Sequence, residues 1–379
     1  MKRVYLDNAA ATPLDSKALS AMMPFLTDEF YNPSALYEGA VRVKSELESA
    51  RALVARQIGA KPAEIIFTAG GTESDNVAVH GVMGAWPDAS MLISAIEHDA
   101  VFEPAQHYHH KVVAVEPSGQ ISVERLEKSI SDNTVLISVM LVNSEIGTIE
   151  PIQDITEMVS RIRSQRRKRS INTPLFVHTD ACQAPLYLDI DVNRLGVDLL
   201  TLNGGKMHGP KQSGVLFVKA GINLKPLIQG GGQEHRMRSG TENVAFAVGF
   251  ATALELAGKG RKQRVKAVTA LRDYFITELE ARFSAECSGS KKYRIANNVH
   301  VIFPGHDNER ILFALDEMGV DAATGSACSA SKDEPSRVLR AIGKTDSEAG
   351  ASIRFSLGKD TTKEELDRVL TLVKKALKA

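Results

Sequence analysis

Leu175-Phe176-Val177-His178-Thr179-Asp180 and Asp198-Leu199-Leu200-Thr201-Leu202-Asn203, the second running directly into Gly204-Gly205-Lys206, decide the fold of this chain. Each opens as a short run that is apolar almost throughout, the pattern of a strand buried on both faces rather than one with a wet side. The same texture recurs in Glu64-Ile65-Ile66-Phe67-Thr68, Met91-Leu92-Ile93-Ser94, Val135-Leu136-Ile137-Ser138-Val139-Met140 and Gly214-Val215-Leu216-Phe217-Val218. Helical patterns fall between several of these runs, notably over 45–58 and 155–167. Strand–helix–strand alternation predicts an α/β large domain with a mainly parallel sheet of the seven-stranded type, flanked by helices. From about residue 251 the texture changes. A long helical stretch over 251–283 precedes Val299-His300-Val301-Ile302-Phe303, and helices are expected near 309–318 and 363–377. This reads as a smaller C-terminal α/β domain. At 379 residues the chain exceeds what one core usually serves. The expected division is 13–255 for the large domain, and 1–12 with 256–379 for the small one.

Composition excludes more than it selects. Lys plus Arg and Asp plus Glu balance at 46 each, so charge points neither to nucleic acid nor to a membrane surface. No apolar run of about 18 residues is present, so no membrane span is expected. The start, Met1-Lys2-Arg3-Val4-Tyr5-Leu6-Asp7, lacks a signal-peptide core. Three cysteines, Cys182, Cys287 and Cys328, are too few and too odd in number for a disulfide framework, and a reducing, cytoplasmic setting is expected. The cluster His107, His109 and His110 lacks a carboxylate or thiol partner at ligand spacing and reads as a surface cluster, so no metal is expected. The run Arg161-Ile162-Arg163-Ser164-Gln165-Arg166-Arg167-Lys168-Arg169 reads as a solvated helix C-terminus, where cations suit the dipole. A docking patch for an acidic partner or RNA is the other reading.

Four segments carry chemistry. Ala69-Gly70-Gly71-Thr72-Glu73-Ser74 follows a strand and opens a helix, so it is either a phosphate cradle or a plain turn capped by Thr72. Asp180 stands at the C-terminal end of a buried strand, the edge where open α/β sheets bind ligands. It either caps the next helix or pairs with a cation such as a protonated pyridine nitrogen. Lys206, flanked by glycines at the same edge, is either an ordinary loop lysine or an amine confined enough to form a Schiff base, with Lys211 as its local competitor. Cys328 lies in Asp321-Ala322-Ala323-Thr324-Gly325-Ser326-Ala327-Cys328-Ser329, whose small residues favour a loop in which a thiol can ionise. Cys182 and Cys287 rank below it as nucleophiles. The stretch Gly230-Gly231-Gly232-Gln233-Glu234-His235-Arg236-Met237-Arg238 adds a polar segment suited to something anionic.

Taken in order, further motifs join these: Tyr5-Leu6-Asp7-Asn8-Ala9-Ala10-Ala11-Thr12-Pro13, Asn32-Pro33-Ser34, Glu97-His98, Glu145-Ile146-Gly147, Arg238-Ser239-Gly240-Thr241 and Ser352-Ile353-Arg354-Phe355-Ser356-Leu357-Gly358. Together they resemble the cysteine desulfurases of the NifS/IscS group, within the class V aminotransferase family of fold-type I pyridoxal-phosphate (PLP) enzymes, across nearly the whole chain. The resemblance implies conversion of L-cysteine to alanine, with sulfur passing to iron–sulfur cluster assembly or to thiolation of tRNA or cofactors. It implies that Lys206 links to PLP and shuttles a proton, and that Asp180 pairs with the pyridine nitrogen. Gln183 would meet the phenolic oxygen, and His98 would stack on the ring and serve as an acid–base group. Gly71 and Thr72 would hold the phosphate. Asn143, Ser144 and Asn203 would contribute to the cofactor site, and Thr241 would reach the phosphate of a neighbouring subunit, which implies a homodimer. Asn32 and Arg354 would bind the substrate carboxylate. Cys328 would take the sulfur as a persulfide and pass it to an acceptor protein.

Three positions depart from the family pattern. Gly205 stands where a histidine usually precedes the lysine, Asn203 where a serine is usual, and Ser144 where a second asparagine is usual. The phosphate cradle is therefore expected to be rebuilt here. A selenocysteine lyase or another class V lyase or aminotransferase is the neighbouring alternative. A non-catalytic binding protein on the same fold is the alternative of a different class.

Overall fold

The computed structural model describes residues 3–325 and 335–378. Its strands are β1 Val4–Tyr5, β2 Ile65–Thr68, β3 Ser90–Ser94, β4 His109–Val113, β5 Thr134–Ser138, β6 Phe176–Asp180, β7 Leu199–Asn203, β8 Gly214–Val218, β9 Glu286–Cys287, β10 Asn298–Ile302, β11 Val320–Asp321 and β12 Ser352–Ser356. Seven of them form one sheet in the order β2-β8-β7-β6-β5-β3-β4. Pairing is parallel from β7 through β6, β5 and β3 to β4, and only β8 runs against its neighbours. Leu136, Ile137, Val177, Leu199, Leu200 and Leu202 are fully buried, as strands covered on both faces require. The mainly parallel seven-stranded sheet with flanking helices agrees with the sequence expectation.

The sheet's shape positions the site. β2, β3, β5, β6 and β7 all run the same way, so the segments leaving their C-terminal ends emerge along one edge. Those segments carry Gly71 and Thr72, His98, Ser144, Asp180 with Gln183, and Asn203 with Lys206, respectively. A second, antiparallel sheet, β12-β10-β9, faces this edge through Arg354 of β12. The N-terminal segment joins the C-terminal part of the chain: β1 pairs with β11, and Asp7 bridges to Ser356.

Two expectations change. The stretch 251–283 is not one helix but the end of Val244–Gly258 followed by Arg261–Phe283. The break falls at Gly260, whose φ of 67° lies in the left-handed region that a continuing helix cannot use. His109 and His110 of the surface cluster open β4, an outer strand of the sheet that the sequence reading did not pick out. Half-exposed residues obscured its alternation. His80 binds Tyr108 there at 2.9 Å.

The basic run is partly internal, which corrects its reading as a solvated helix end. Arg166 is buried and donates to the carbonyls of Ser131, Thr134, Thr173 and Pro174. Arg163 donates to Leu175 O and to Asp198, and Arg169 pairs with Asp132 at 2.6 Å. These three arginines fasten the end of helix Ile152–Lys168 to the strands it covers. A docking patch would have to rest on the outward Arg167 and Lys168.

Candidate active site

Asp180, Gln183, Asn203, Lys206, His98, Thr72, Gly71, Ser144 and Arg354 converge on one cleft of about 590 Å³. Each is placed by local rules. Asn203 ends β7 and caps the short turn Gly204–Lys206, its Oδ1 accepting from Gly205 N at 3.0 Å. That turn projects Lys206 into the cleft, where Nζ donates to Ala10 O at 2.5 Å. Gln183 Nε2 donates to Ala9 O at 3.0 Å, and Thr12 binds Gly205 O through both N and Oγ1. The Ala-rich segment at the N-terminus therefore forms a wall of the cleft, built from backbone carbonyls that small side chains leave accessible. His98 caps helix Asp99–Ala105, accepting from Ala100 N through Nδ1 at 3.0 Å, which assigns the ring proton of the neutral form to Nε2. Gly71 opens helix Gly71–Ala85. A Cβ on it would lie 2.8 Å from Cys182 Sγ, so the close approach of the helix to the β6 loop requires glycine.

Arg354 is 2% exposed, yet only part of its guanidinium is engaged. Nη2 meets Asp7 at 2.7 Å and Nη1 meets Ser144 O at 3.1 Å, while the buried Nε has no partner among the described residues. A guanidinium that lines the cleft suits a carboxylate.

The floor is acidic. Asp180 accepts from Cys182 N at 2.8 Å. Asp75, one helical turn after Gly71, is buried nearby, and its Oδ1, 3.5 Å from His178 Nε2, has no hydrogen-bond partner among the described residues. Burial, with the nearby Asp180, raises the Asp75 carboxyl well above the carboxylate range, and burial raises Glu97 likewise. His178, bound to Ser138 Oγ and Thr201 Oγ1, is pushed down to about 4 by burial and stays neutral at physiological pH. Asp180, at the cleft end of β6 with the neutral His178 on the same strand, is the acid placed to meet a cation on the ligand. Sequence reading missed Asp75, although its spacing of four from Gly71 puts both on one helix face.

This donor set fits PLP. The acidic floor matches a protonated ring nitrogen, Lys206 stands at the cleft, and the glycine-led N-terminus of a 15-residue helix suits a phosphate.

Not every expected residue lines the cleft. Asn143 is buried, its Nδ2 donating to Ile96 O and its Oδ1 accepting from the N–H groups of Glu145 and Ile146, so it shapes the turn that carries Ser144. Asn32 sits in an exposed loop with its Oδ1 taken by Ser34 N. Thr241 is exposed and lines a separate groove with Arg238 and Gln212. Cys328 lies outside the described residues. Of the other thiols, Cys182 is held well up by burial and by Asp180 and Asp75, and burial raises Cys287 too. Neither is set up as a thiolate.

Glu150 follows the Ser144 turn in sequence, its Oε2 accepting from Ile121 N while Oε1 has no partner among the described residues. Burial pushes its carboxyl up to about 8. The folded chain thus holds this proton more tightly than the unfolded chain, whose value is near 4.3. The associated stability is complete below that value and is lost as pH rises toward about 8, on the order of 5 kcal/mol in total. Glu150→Gln mimics the protonated acid. Its melting temperature should match that of the unaltered chain near pH 5 and exceed it by several degrees near pH 8.5. Parallel melting curves across that range would contradict this assignment.

The aminotransferase class-V family model matches residues 4–369. Among curated relatives, the cysteine desulfurase IscS of Dictyoglomus turgidum is 41% identical, over all of this chain and 95% of its own length. That of Methanosarcina thermophila is 39% identical, over 98% of this chain and 91% of its own. Among solved structures, a NifS-like protein superposes with a TM-score of 0.90 at 31% identity, covering 99% of both chains. A structure described as SspA in complex with cysteine gives 0.80 at 31%, covering 95% of this chain and all of that one.

Proposed function

The chain belongs to the aminotransferase class-V family, and from that premise we propose that it is a PLP-dependent cysteine desulfurase, taking sulfur from L-cysteine and releasing alanine. The observation that carries this reading is the convergence of Lys206, Asp180, Gln183, His98 and Arg354 on one cleft, in a chain 41% identical to a relative of that name.

Bound PLP supplies an electron sink for the pair left on the substrate when its bonds are cleaved. The chain's own residues do the rest. Lys206 holds the cofactor covalently, and as a free amine it moves a proton from one substrate carbon to another. Asp180, anchored by Cys182 N, keeps the ring nitrogen charged. Gln183 and His98 fix the ring's oxygen and face. Arg354 receives the substrate carboxylate through its guanidinium. Cys328, as thiolate, bonds to the substrate sulfur; the carbon–sulfur bond breaks with its electron pair remaining on carbon. That carbon takes a proton and leaves within alanine, while the sulfur stays on Cys328 as a persulfide.

A homodimer, with Thr241 completing a neighbour's phosphate site, accounts for that residue standing away from its own cleft. Operation in the cytoplasm is consistent with the free thiols of Cys182 and Cys287. Among the described residues no helix is long and apolar enough to cross a membrane. The persulfide passes to an acceptor protein serving cluster assembly or thiolation.

Cys328→Ser tests the assignment. The variant should keep the visible absorbance of bound PLP and lose alanine release from cysteine by about a thousandfold, since a hydroxyl cannot accept the sulfur. Alanine release at the unaltered rate would reject the role.

A further inference from the structure

The phosphate of PLP carries between about one and a half and two negative charges near neutral pH. A helix N-terminus offers only about half a unit of positive charge. On the reading of this cleft as a PLP site, further positive charge must stand near Gly70, Gly71 and Thr72. Glu73, in the first turn of the same helix, adds to the demand. Its carboxylate accepts from Ala69 N at 3.1 Å and pairs with Arg238 at 2.7 Å, so the Arg238 charge is used in neutralising it. Lys206 would be committed to the cofactor's ring side.

Among the described residues Lys211 is the remaining cation that lines this end. It borders an open part of the cleft, about 1120 Å³, together with Gly70, Gly71, Thr72, Asn203 and Gly205. Gly205 lies beside the Lys211 stem. A Cβ built on it would stand in ordinary contact, 3.5 Å from Asn203 Oδ1, 3.6 Å from Lys211 Cγ and 3.8 Å from Lys211 Cα, so only a longer side chain would meet the stem. The stem of Lys211 therefore runs past the very face of residue 205 where a side chain would stand. A bulky or cationic residue at 205 would contest that space, and glycine leaves it to Lys211. We propose that Lys211 supplies the counter-charge for the PLP phosphate, with Gly205 as the gap that admits it. Asn203 supports the arrangement by fixing Gly205 N through Oδ1.

The test is equilibrium binding to the cofactor-stripped full chain, titrated with PLP and separately with pyridoxal, which has the ring and aldehyde but no phosphate. Lys211→Met should weaken PLP binding about tenfold, as loss of one partly exposed charge contact warrants. Pyridoxal binding should stay within about twofold, and Lys211→Arg should retain most of the PLP affinity. Circular dichroism checks the fold, and Lys211→Gln replaces the methionine variant should that one not fold. Unchanged PLP affinity in the charge-removing variant would overturn the inference, and so would equal losses for PLP and pyridoxal. An unaltered chain that binds no PLP would instead overturn the reading of the cleft itself.

Discussion

Lys206→Ala is expected to abolish the lysine-linked form of PLP and to lower alanine formation from cysteine by at least about a thousandfold. Lys206 stands on a turn fixed at both ends: Asn203 caps its start, and Thr12 grips Gly205 O. Proton transfer by a positioned group contributes roughly a hundred- to ten-thousandfold, and covalent attachment adds to that. Lys211 lines the neighbouring part of the cleft but is assigned to the phosphate, so it should not take over. Reduction of the cofactor-loaded protein with borohydride, followed by peptide mapping, reads the outcome directly. Label on Lys206 in the unaltered chain and none in the variant is the expected pair of results. Label moving to Lys211 with activity kept would show that the wrong lysine had been chosen.

Arg354→Ala should raise KM for cysteine by about ten- to a hundredfold, the range set by one charge-assisted contact, with a smaller change in kcat. It should also destabilise the fold. Removing one partner of an enclosed ion pair costs up to about 3–5 kcal/mol. Asp7 keeps some contact with solvent, so the loss should lie below that range. Asp7→Asn separates the two effects, because it breaks the pair and leaves the guanidinium in place. That variant should lower the melting temperature with little change in KM. If both variants raised KM equally, Arg354 would be acting through the N-terminal segment rather than on the substrate.

Much of this was legible in the sequence because it follows from buried strands. The apolar runs now seen as β5, β6 and β7 needed no more than their composition to be recognised, and the ligand edge followed from where their polar ends fall. Asp180 and Lys206 each carried a bland alternative when read singly, and only the order of motifs along the chain joined them. What was not legible depends on contacts between distant segments. The division of Arg166 among four carbonyls cannot be read from a run of charges, because burial and not charge decides its role. Asp75 passed as an ordinary helix residue until the helix was seen to stand near Asp180. Asn143 and Ser144 are adjacent in sequence, yet one closes a turn and the other faces the cleft, a difference set by backbone geometry alone. Gly205 looked like a loss, and its meaning came from the stem of Lys211 beside it.

The central claim is that sulfur leaves cysteine and comes to rest on Cys328. Mass spectrometry of the PLP-loaded chain after brief incubation with L-cysteine, with thiols trapped by alkylation before digestion, tests it most directly. The account predicts one added sulfur on the peptide containing Cys328, removed by a reductant and absent when Lys206 is alanine. An unmodified Cys328 beside released alanine, or the added sulfur on Cys182 or Cys287 instead, would contradict it.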